Sequence, residues 1–197
     1  MDLRNAFGEI DHGLIRATLQ EYNVPATVIR LFENIYKDSR VVIAVNKDQT
    51  EPVVVKRDVL QGDPSSPLLF NVCFNSLMRT IMQPKYHQLG YLWGTNNTAW
   101  GRSWMQFADD AIIVASNDRN AQTLLDVFTA WCHWADMRIR IDKCHSFGMR
   151  KEHNVFQQYL PAVTSSGAQI PAVKIGDSFT YLGKLFNSSM SKEEAQK

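Results

Sequence analysis

Trp104-Met105-Gln106-Phe107-Ala108-Asp109-Asp110-Ala111-Ile112-Ile113-Val114 sets two apolar, strand-like runs on either side of adjacent carboxylates, with no glycine or proline to mark an ordinary loop. Neighbouring side chains of a regular strand point to opposite faces. Asp109 and Asp110 can therefore approach one site only at a tight hairpin turn. Turns also favour aspartate for purely local reasons, so a plain turn is the other reading. Two adjacent carboxylates repel and raise each other's pKa unless a cation neutralises them. A hard divalent ion with oxygen ligands does that, Mg²⁺ above all.

Working outward, Ala121, Leu124, Leu125, Phe128, Trp131, Cys132 and Ala135 repeat at three and four residues, the stripe of an amphipathic helix. Near the start, Leu14, Ile15, Leu19, Val28, Leu31, Phe32 and Ile35 keep helical spacing, interrupted at Asn23-Val24-Pro25. Proline cannot continue a helix interior, so two helices are expected there. Residues 40–45 and 52–56 are β-branched runs around a polar 46–50 turn and read as a hairpin. Gln61-Gly62-Asp63-Pro64-Ser65-Ser66-Pro67-Leu68-Leu69-Phe70-Asn71 is turn-rich and leads into a helix, with Ser66 as N-cap and Pro67 at the first helical position. That helix is expected to pass through Leu69, Cys73, Leu77 and Ile81 and to stop before Pro84.

Residues 86–101 read as loop with a short strand around 89–93, and 137–149 as strand and turn carrying Arg138, Arg140 and Lys143. Residues 151–169 are too polar to suggest a core element. Residues 172–175 and 179–186 resemble a last hairpin turning at Gly176-Asp177, and Glu193-Glu194-Ala195 begins something helical. No internal repeat or domain boundary stands out. The expectation is one α+β domain over 1–197, with helices on one face of an antiparallel sheet.

Composition narrows the function classes. At 197 residues, 45% hydrophobic and 21% charged, the chain has globular values and enough length for a real core. It contains no run of 18 or more apolar residues and no basic-then-apolar leader, so neither a membrane span nor secretion is expected. Three cysteines suit a reducing compartment rather than a disulfide framework. The expected location is intracellular, cytoplasm or nucleus, where the sequons Asn96-Asn97-Thr98 and Asn187-Ser188-Ser189 would meet no glycosylation machinery. Cys132-His133 and Cys144-His145 fit no common zinc spacing. A net charge of +1 argues against a self-contained nucleic-acid binder, which shows a basic excess.

Three stretches in order, Asp2-Leu3-Arg4-Asn5-Ala6-Phe7, Gln61-Gly62-Asp63-Pro64-Ser65-Ser66-Pro67 and Phe107-Ala108-Asp109-Asp110, resemble the palm motifs of reverse transcriptases, closest in flavour to the non-LTR (LINE-type) retrotransposon branch. Asp142-Lys143-Cys144 and Tyr181-Leu182-Gly183 are softer matches to the next motif and to the primer-grip hairpin. The resemblance covers nearly the whole chain. It implies a ferredoxin-like polymerase palm, with 171–197 as a primer-grip-like hairpin and the start of a thumb connection.

That family adds nucleotides to a primer 3′-hydroxyl with two metal ions about 3.5–4 Å apart, which demands carboxylates from separate elements. The resemblance implies Asp2, Asp109 and Asp110 as ligands of Mg²⁺, with Mn²⁺ as a substitute, and Lys143 as a proton donor to pyrophosphate. It implies amides of Asn5 and Ala6 around the triphosphate, Phe7 beneath the sugar excluding a 2′-hydroxyl, and Gln61 and Gly62 lining the nucleotide pocket. The implied partners are an RNA template, a DNA primer and dNTPs, together with fingers and thumb or a parent polyprotein. Because Asp2 stands one residue from the start, fingers and thumb are expected to be largely absent and the chain alone weak or inactive. Two other readings stand beside this one: a non-catalytic palm relic or partner-binding remnant, and a different two-metal phosphoryl enzyme.

Overall fold

The computed structural model describes residues 1–46, 48–59, 62–94 and 100–187. Gln61, the 96–98 sequon, Ser188, Ser189 and Glu193-Glu194-Ala195 lie outside the described residues. The helices are α1 (His12–Glu21), α2 (Ala26–Lys37), α3 (Ser66–Ile81), α4 (Pro84–His87) and α5 (Asp118–Trp134). The strands are β1 (Arg40–Val41), β2 (Ala44–Val45), β3 (Asp48–Gln49), β4 (Val53–Val54), β5 (Tyr91–Trp93), β6 (Trp100–Arg102), β7 (Trp104–Phe107), β8 (Asp110–Ile113), β9 (Gly148–Glu152), β10 (Val155–Tyr159), β11 (Thr164–Ser165), β12 (Ala168–Gln169), β13 (Phe179–Tyr181) and β14 (Lys184–Phe186). The mixture is α+β, and every ladder among the described residues is a two-stranded antiparallel pair. The chain divides into two compact units, one of Met1–Leu3, Ile81–Ala130 and Ile139–Lys197, the other of Arg4–Thr80 and Trp131–Arg138.

In the second of these, the Asp11 side chain caps α1 by accepting from the amides of Gly13 and Leu14. The helix buries Leu14, Ile15, Thr18 and Leu19 and packs on α2. The break falls at Asn23-Val24-Pro25, where Asn23 takes φ 53. Only part of the apolar stripe of α2 is covered: Ile29 is buried, whereas Val28, Leu31 and Ile35 are exposed. In the 40–54 hairpin β1 pairs with β4 and β2 with β3, so the turn is tighter than the polar 46–50 stretch suggests.

The helix α3 supplies the centre of this unit through Leu69, Phe70, Cys73, Phe74 and Leu77, all 2% exposed or less. Each such side chain contributes about 1.5–3 kcal/mol by leaving water. Rings stack along it from Phe7 to Phe70 (4.3 Å), Phe74 (4.5 Å) and Trp131 (4.7 Å). Ser66 is not the N-cap: it lies inside the helix and is buried. The helix starts one residue early, after a turn in which the Asp63 carboxylate accepts from the Ser65 amide (2.7 Å) and hydroxyl (2.6 Å).

In the other unit, Leu124, Leu125 and Phe128 of α5 form the core, and Trp104 of β7 packs its ring on Phe128 at 5.2 Å. Three expectations need correction here. In 86–101 the short strand expected around 89–93 is present as β5, but it pairs with β6 over three residue pairs, and Pro84 starts the short α4 where loop was expected. Residues 151–169 are structured: β9 and β10 form a five-pair ladder, β11 pairs with β12, and Val163 and Ser165 are buried beside Ile170. Most β9–β10 residues are exposed, so the pair needs few apolar side chains, which is why polarity concealed it.

The last hairpin turns at Leu182-Gly183, not Gly176-Asp177. Phe179–Tyr181 pairs with Lys184–Phe186, and Leu182 (φ 48) and Gly183 (φ 73) supply the two left-handed positions of a tight hairpin turn. Ala172 instead bridges Ser146 in parallel. No helix among the described residues is long and apolar enough to cross a membrane.

Candidate active site

The pairing of Phe107 with Asp110 closes β7–β8 around a two-residue turn, Ala108-Asp109. Ala108 adopts φ 51, a left-handed conformation that costs a residue with a Cβ about 1–2 kcal/mol. The turn is braced from its own strand. The Gln106 side-chain amide donates to the Ala108 carbonyl at 2.6 Å, and its oxygen accepts from the Trp104 indole N–H at 3.2 Å. The buried Trp104 ring thus ties the tip, and the half-buried Asp109 and Asp110 on it, to α5.

Asp2 is held against the same hairpin. The Met1 ammonium donates to the Ala111 carbonyl, and the Ala111 amide donates back to the Met1 carbonyl at 3.3 Å. On the other side Leu3 bridges Ile139, the Asp2 carbonyl accepts from the Arg140 amide at 2.9 Å, and the Asp2 amide donates to Cys144 Sγ at 3.3 Å. The backbone of Asp2 therefore runs between the edge of β8 and the 139–144 segment.

Electrostatics reports how close the three carboxylates come. The pKa of Asp110 is raised, chiefly by burial, then by the charge of Asp109 and less by that of Asp2, against the opposing pull of the Met1 ammonium. None of the three carboxylates forms an ion pair among the described residues. Among the described residues no group of three or more His, Cys, Asp or Glu side chains is placed to hold a metal ion, so the three carboxylates do not form a ready-made ligand cluster. The carboxylates offer oxygen donors only, with the Met1 ammonium as an opposing charge at Asp110. Such a set fits Mg²⁺, which is held by one or two carboxylates plus water and substrate phosphates rather than by an all-protein cage.

Asp2 and Asp110 border a cavity of about 650 Å³, a usual size for a small-molecule site. Lys143 also lines it, from the 3-10 turn Ile141–Lys143, and is exposed. Asp142 pairs with Arg140 at 2.9 Å, and that contact holds its carboxyl below the usual range. Tyr181, absent from the residues proposed on sequence, lines the cavity too. Burial and the negative charge of Asp110 push its hydroxyl upward, so it stays a neutral donor. Cys144 was also missed as a partner of Asp2. It is fully buried, and burial raises its thiol. A tyrosine one residue before the Leu182-Gly183 turn is a signal in the sequence, whereas nothing in a Lys143-Cys144 pair says where the sulfur points.

Asn5, Ala6, Phe7 and Gly62 belong to the other unit. Asn5 (φ 44) accepts from the Glu9 amide at 2.9 Å in a tight turn, and the amides of Asn5 and Ala6 find no acceptor among the described residues. Phe7 is half-buried on Phe70. Its carbonyl accepts from the Val59 amide at 3.1 Å, and Ile10 likewise accepts from Asp58, so 57–59 runs antiparallel to 7–11 before leading to Gly62. Gly62 takes φ 95 with open space where a Cβ would point.

The sequence profile of the family described as reverse transcriptase (RNA-dependent DNA polymerase) matches residues 1–184. The chain is 28% identical over 191 residues to the retrovirus-related Pol polyprotein from type-2 retrotransposable element R2DM of Drosophila melanogaster. That match covers 96% of this chain and 17% of the relative. It is 25% identical over 191 residues to the Pol polyprotein from the type-1 retrotransposable element R2 of Nasonia vitripennis, covering 95% of this chain and 18% of that one. A Pol polyprotein from a Popillia japonica R2 element is 24% identical over 190 residues, which cover 96% of this chain and 30% of the relative. The chain thus spans less than a fifth of the length of the first two relatives. A match to that family's profile over residues 1–184, most of the chain, means that the chain belongs to the reverse transcriptase family.

Proposed function

We propose that this chain is the palm portion, ferredoxin-like and a single domain over 1–197, of an RNA-directed DNA polymerase acting within a larger Pol polyprotein. The observation that carries the reading is that Asp2, from the opening of the chain, and Asp110 border one cavity, with Asp109 beside Asp110 in the hairpin turn. Asp2, Asp109 and Asp110 hold Mg²⁺, or Mn²⁺ in its place. When bound, the ions lower the pKa of the primer hydroxyl and neutralise charge on the phosphates.

The primer 3′-oxygen forms a bond to the α-phosphorus, the bond to pyrophosphate breaks, and the Lys143 ammonium donates a proton toward the departing oxygen. The amides of Asn5 and Ala6, which find no acceptor among the described residues, cradle the triphosphate. Phe7, fixed by its stack on Phe70, fills the space a 2′-hydroxyl would need. Gly62, with its open side, lines the nucleotide pocket together with Gln61. RNA template, DNA primer and dNTPs are the partners, and fingers and thumb come from the parent polyprotein. A net charge of +1 supports little or no polymerisation by the chain alone, since gripping a phosphate backbone needs a basic surface.

The test is titration of the chain with Mn²⁺, followed by electron paramagnetic resonance. Wild type is expected to bind and Asp109→Ala to bind at least ~100-fold more weakly, beyond the usual loss for an outer-shell residue. Equal binding by both overturns the reading.

A further inference from the structure

We propose that Cys144 is a positioning residue for Asp2, its thiol clasping the backbone that carries the first metal-binding carboxylate. The proposal rests on the metal-site reading above and goes beyond it. Cys144 Sγ accepts the Asp2 amide N–H at 3.3 Å and lies 3.9 Å from the Asp2 carbonyl, within reach for its S–H to donate. The Cys144 side chain is fully buried and Asp2 is half-buried, so the bond to sulfur is partly shielded from water. A backbone amide in such a place requires a partner.

Two further contacts make the clasp local and directed. The Arg140 amide bonds the Asp2 carbonyl at 2.9 Å, and the Cys144 amide bonds the Arg140 carbonyl at 3.1 Å. One turn of chain, 140–144, therefore grips both peptide groups of Asp2 and contains Lys143. Ala111 holds the preceding carbonyl, that of Met1, from the β8 side. Of these contacts only the one to sulfur comes from a side chain, so it is the one a substitution can remove. Without it the Asp2 backbone keeps its outer anchors but loses the contact that fixes its own N–H, and the carboxylate swings out of register with Asp109 and Asp110.

The experiment titrates the full chain with Mn²⁺ alone, read by electron paramagnetic resonance, alongside thermal unfolding of each variant. Cys144→Ala and Cys144→Val remove the clasp, and Cys144→Ser keeps a donor and acceptor at the position. Cys73→Ala removes a buried thiol in the other unit and serves as the packing control. Cys144→Ala and Cys144→Val should each bind Mn²⁺ about 10- to 100-fold more weakly, the usual loss for an outer-shell residue, while Cys144→Ser stays within about threefold of wild type. Cys73→Ala should lower the melting temperature and leave Mn²⁺ affinity unchanged.

Wild-type affinity in Cys144→Ala or Cys144→Val overturns the clasp and leaves the metal site standing, as does failure of a folded Cys144→Ser to restore binding. Loss of any difference between wild type and Asp109→Ala overturns both. A Raman S–H stretch, assigned to Cys144 by its disappearance in Cys144→Ser, supports the clasp if it lies below the free-thiol frequency. A free-thiol frequency overturns it even if the truncated variants do not fold.

Discussion

The hairpins β7–β8 and β9–β10 lie in the same unit and differ in almost every respect that matters. The second has the longer ladder, five residue pairs against four, and its tip places His153 (φ 47) and Asn154 (φ 65) in left-handed conformations. Its tip end faces solvent, Val155 and Phe156 being 57% and 62% exposed. Its other end is tied by Tyr159 to Asp118 and by Gln158 to the Val173 and Lys174 carbonyls. The first is shorter, puts an alanine where asparagine or glycine would be at ease, braces it with Gln106, and seats its tryptophan on α5. Regular pairing therefore does not mark the chemically important hairpin. Its marks are a strained turn, held in place by packing, that presents two adjacent carboxylates with no ion pair among the described residues.

The largest expected difference is in anchoring. Trp104→Ala, which removes the ring packed on Phe128, should destabilise the chain by about 3–5 kcal/mol in urea unfolding. Phe156→Ala at the solvated tip of β9–β10 should stay within about 0.5 kcal/mol. Equal losses would erase the distinction between an anchored hairpin and a solvated tip.

Next comes metal affinity at the two tips. His153→Ala should leave Mn²⁺ binding within about twofold of wild type, set against the ~100-fold loss expected for Asp109→Ala. A matching loss at His153 would move the ion away from the carboxylate turn.

Strain gives a smaller contrast. Ala108→Gly should stabilise the chain by about 0.5 kcal/mol, the relief of a left-handed Cβ less the entropy glycine adds to the unfolded chain. Asn154→Gly should change little, because asparagine already tolerates that conformation.

The smallest effect concerns protons. The pKa of Asp110 is raised in the folded chain, so the folded state takes up its proton more readily than the unfolded one. Stability should rise as pH falls through the raised pKa toward the ordinary carboxylate value, and fall as pH rises through it. Asp110→Asn should flatten that dependence and raise the melting temperature at neutral pH by about 1–2 °C. A lowered melting temperature would mean that the carboxylate has a stabilising partner.

The same contrast explains what could be read from the residues. The β7–β8 hairpin was legible because apolar runs flank a charged pair, and α1, α2, α3 and α5 were legible from the three-and-four spacing of buried residues such as Leu69, Cys73 and Leu77. The β9–β10 hairpin was not, since exposed strands carry no alternation to detect. The final turn was misplaced because Gly176 and Gly183 both offer left-handed freedom, and only pairing between Phe179 and Phe186 decides which is used. At the site, residue types disclosed the carboxylates. The approach of Asp2 to Cys144 and of Tyr181 to Asp110 depends on long-range contacts that no local spacing encodes.

The file of rings from Phe7 through Phe70 and Phe74 to Trp131 has a consequence for how selectivity could drift over generations. A gate whose rear support is a stack of helix-core rings inherits every change of volume made behind it. Under the role proposed for Phe7, shrinking Phe74 would let the Phe7 ring settle backward and relax discrimination at the sugar, without any substitution in the pocket. Nucleotide choice would then be written partly in positions that never meet a nucleotide.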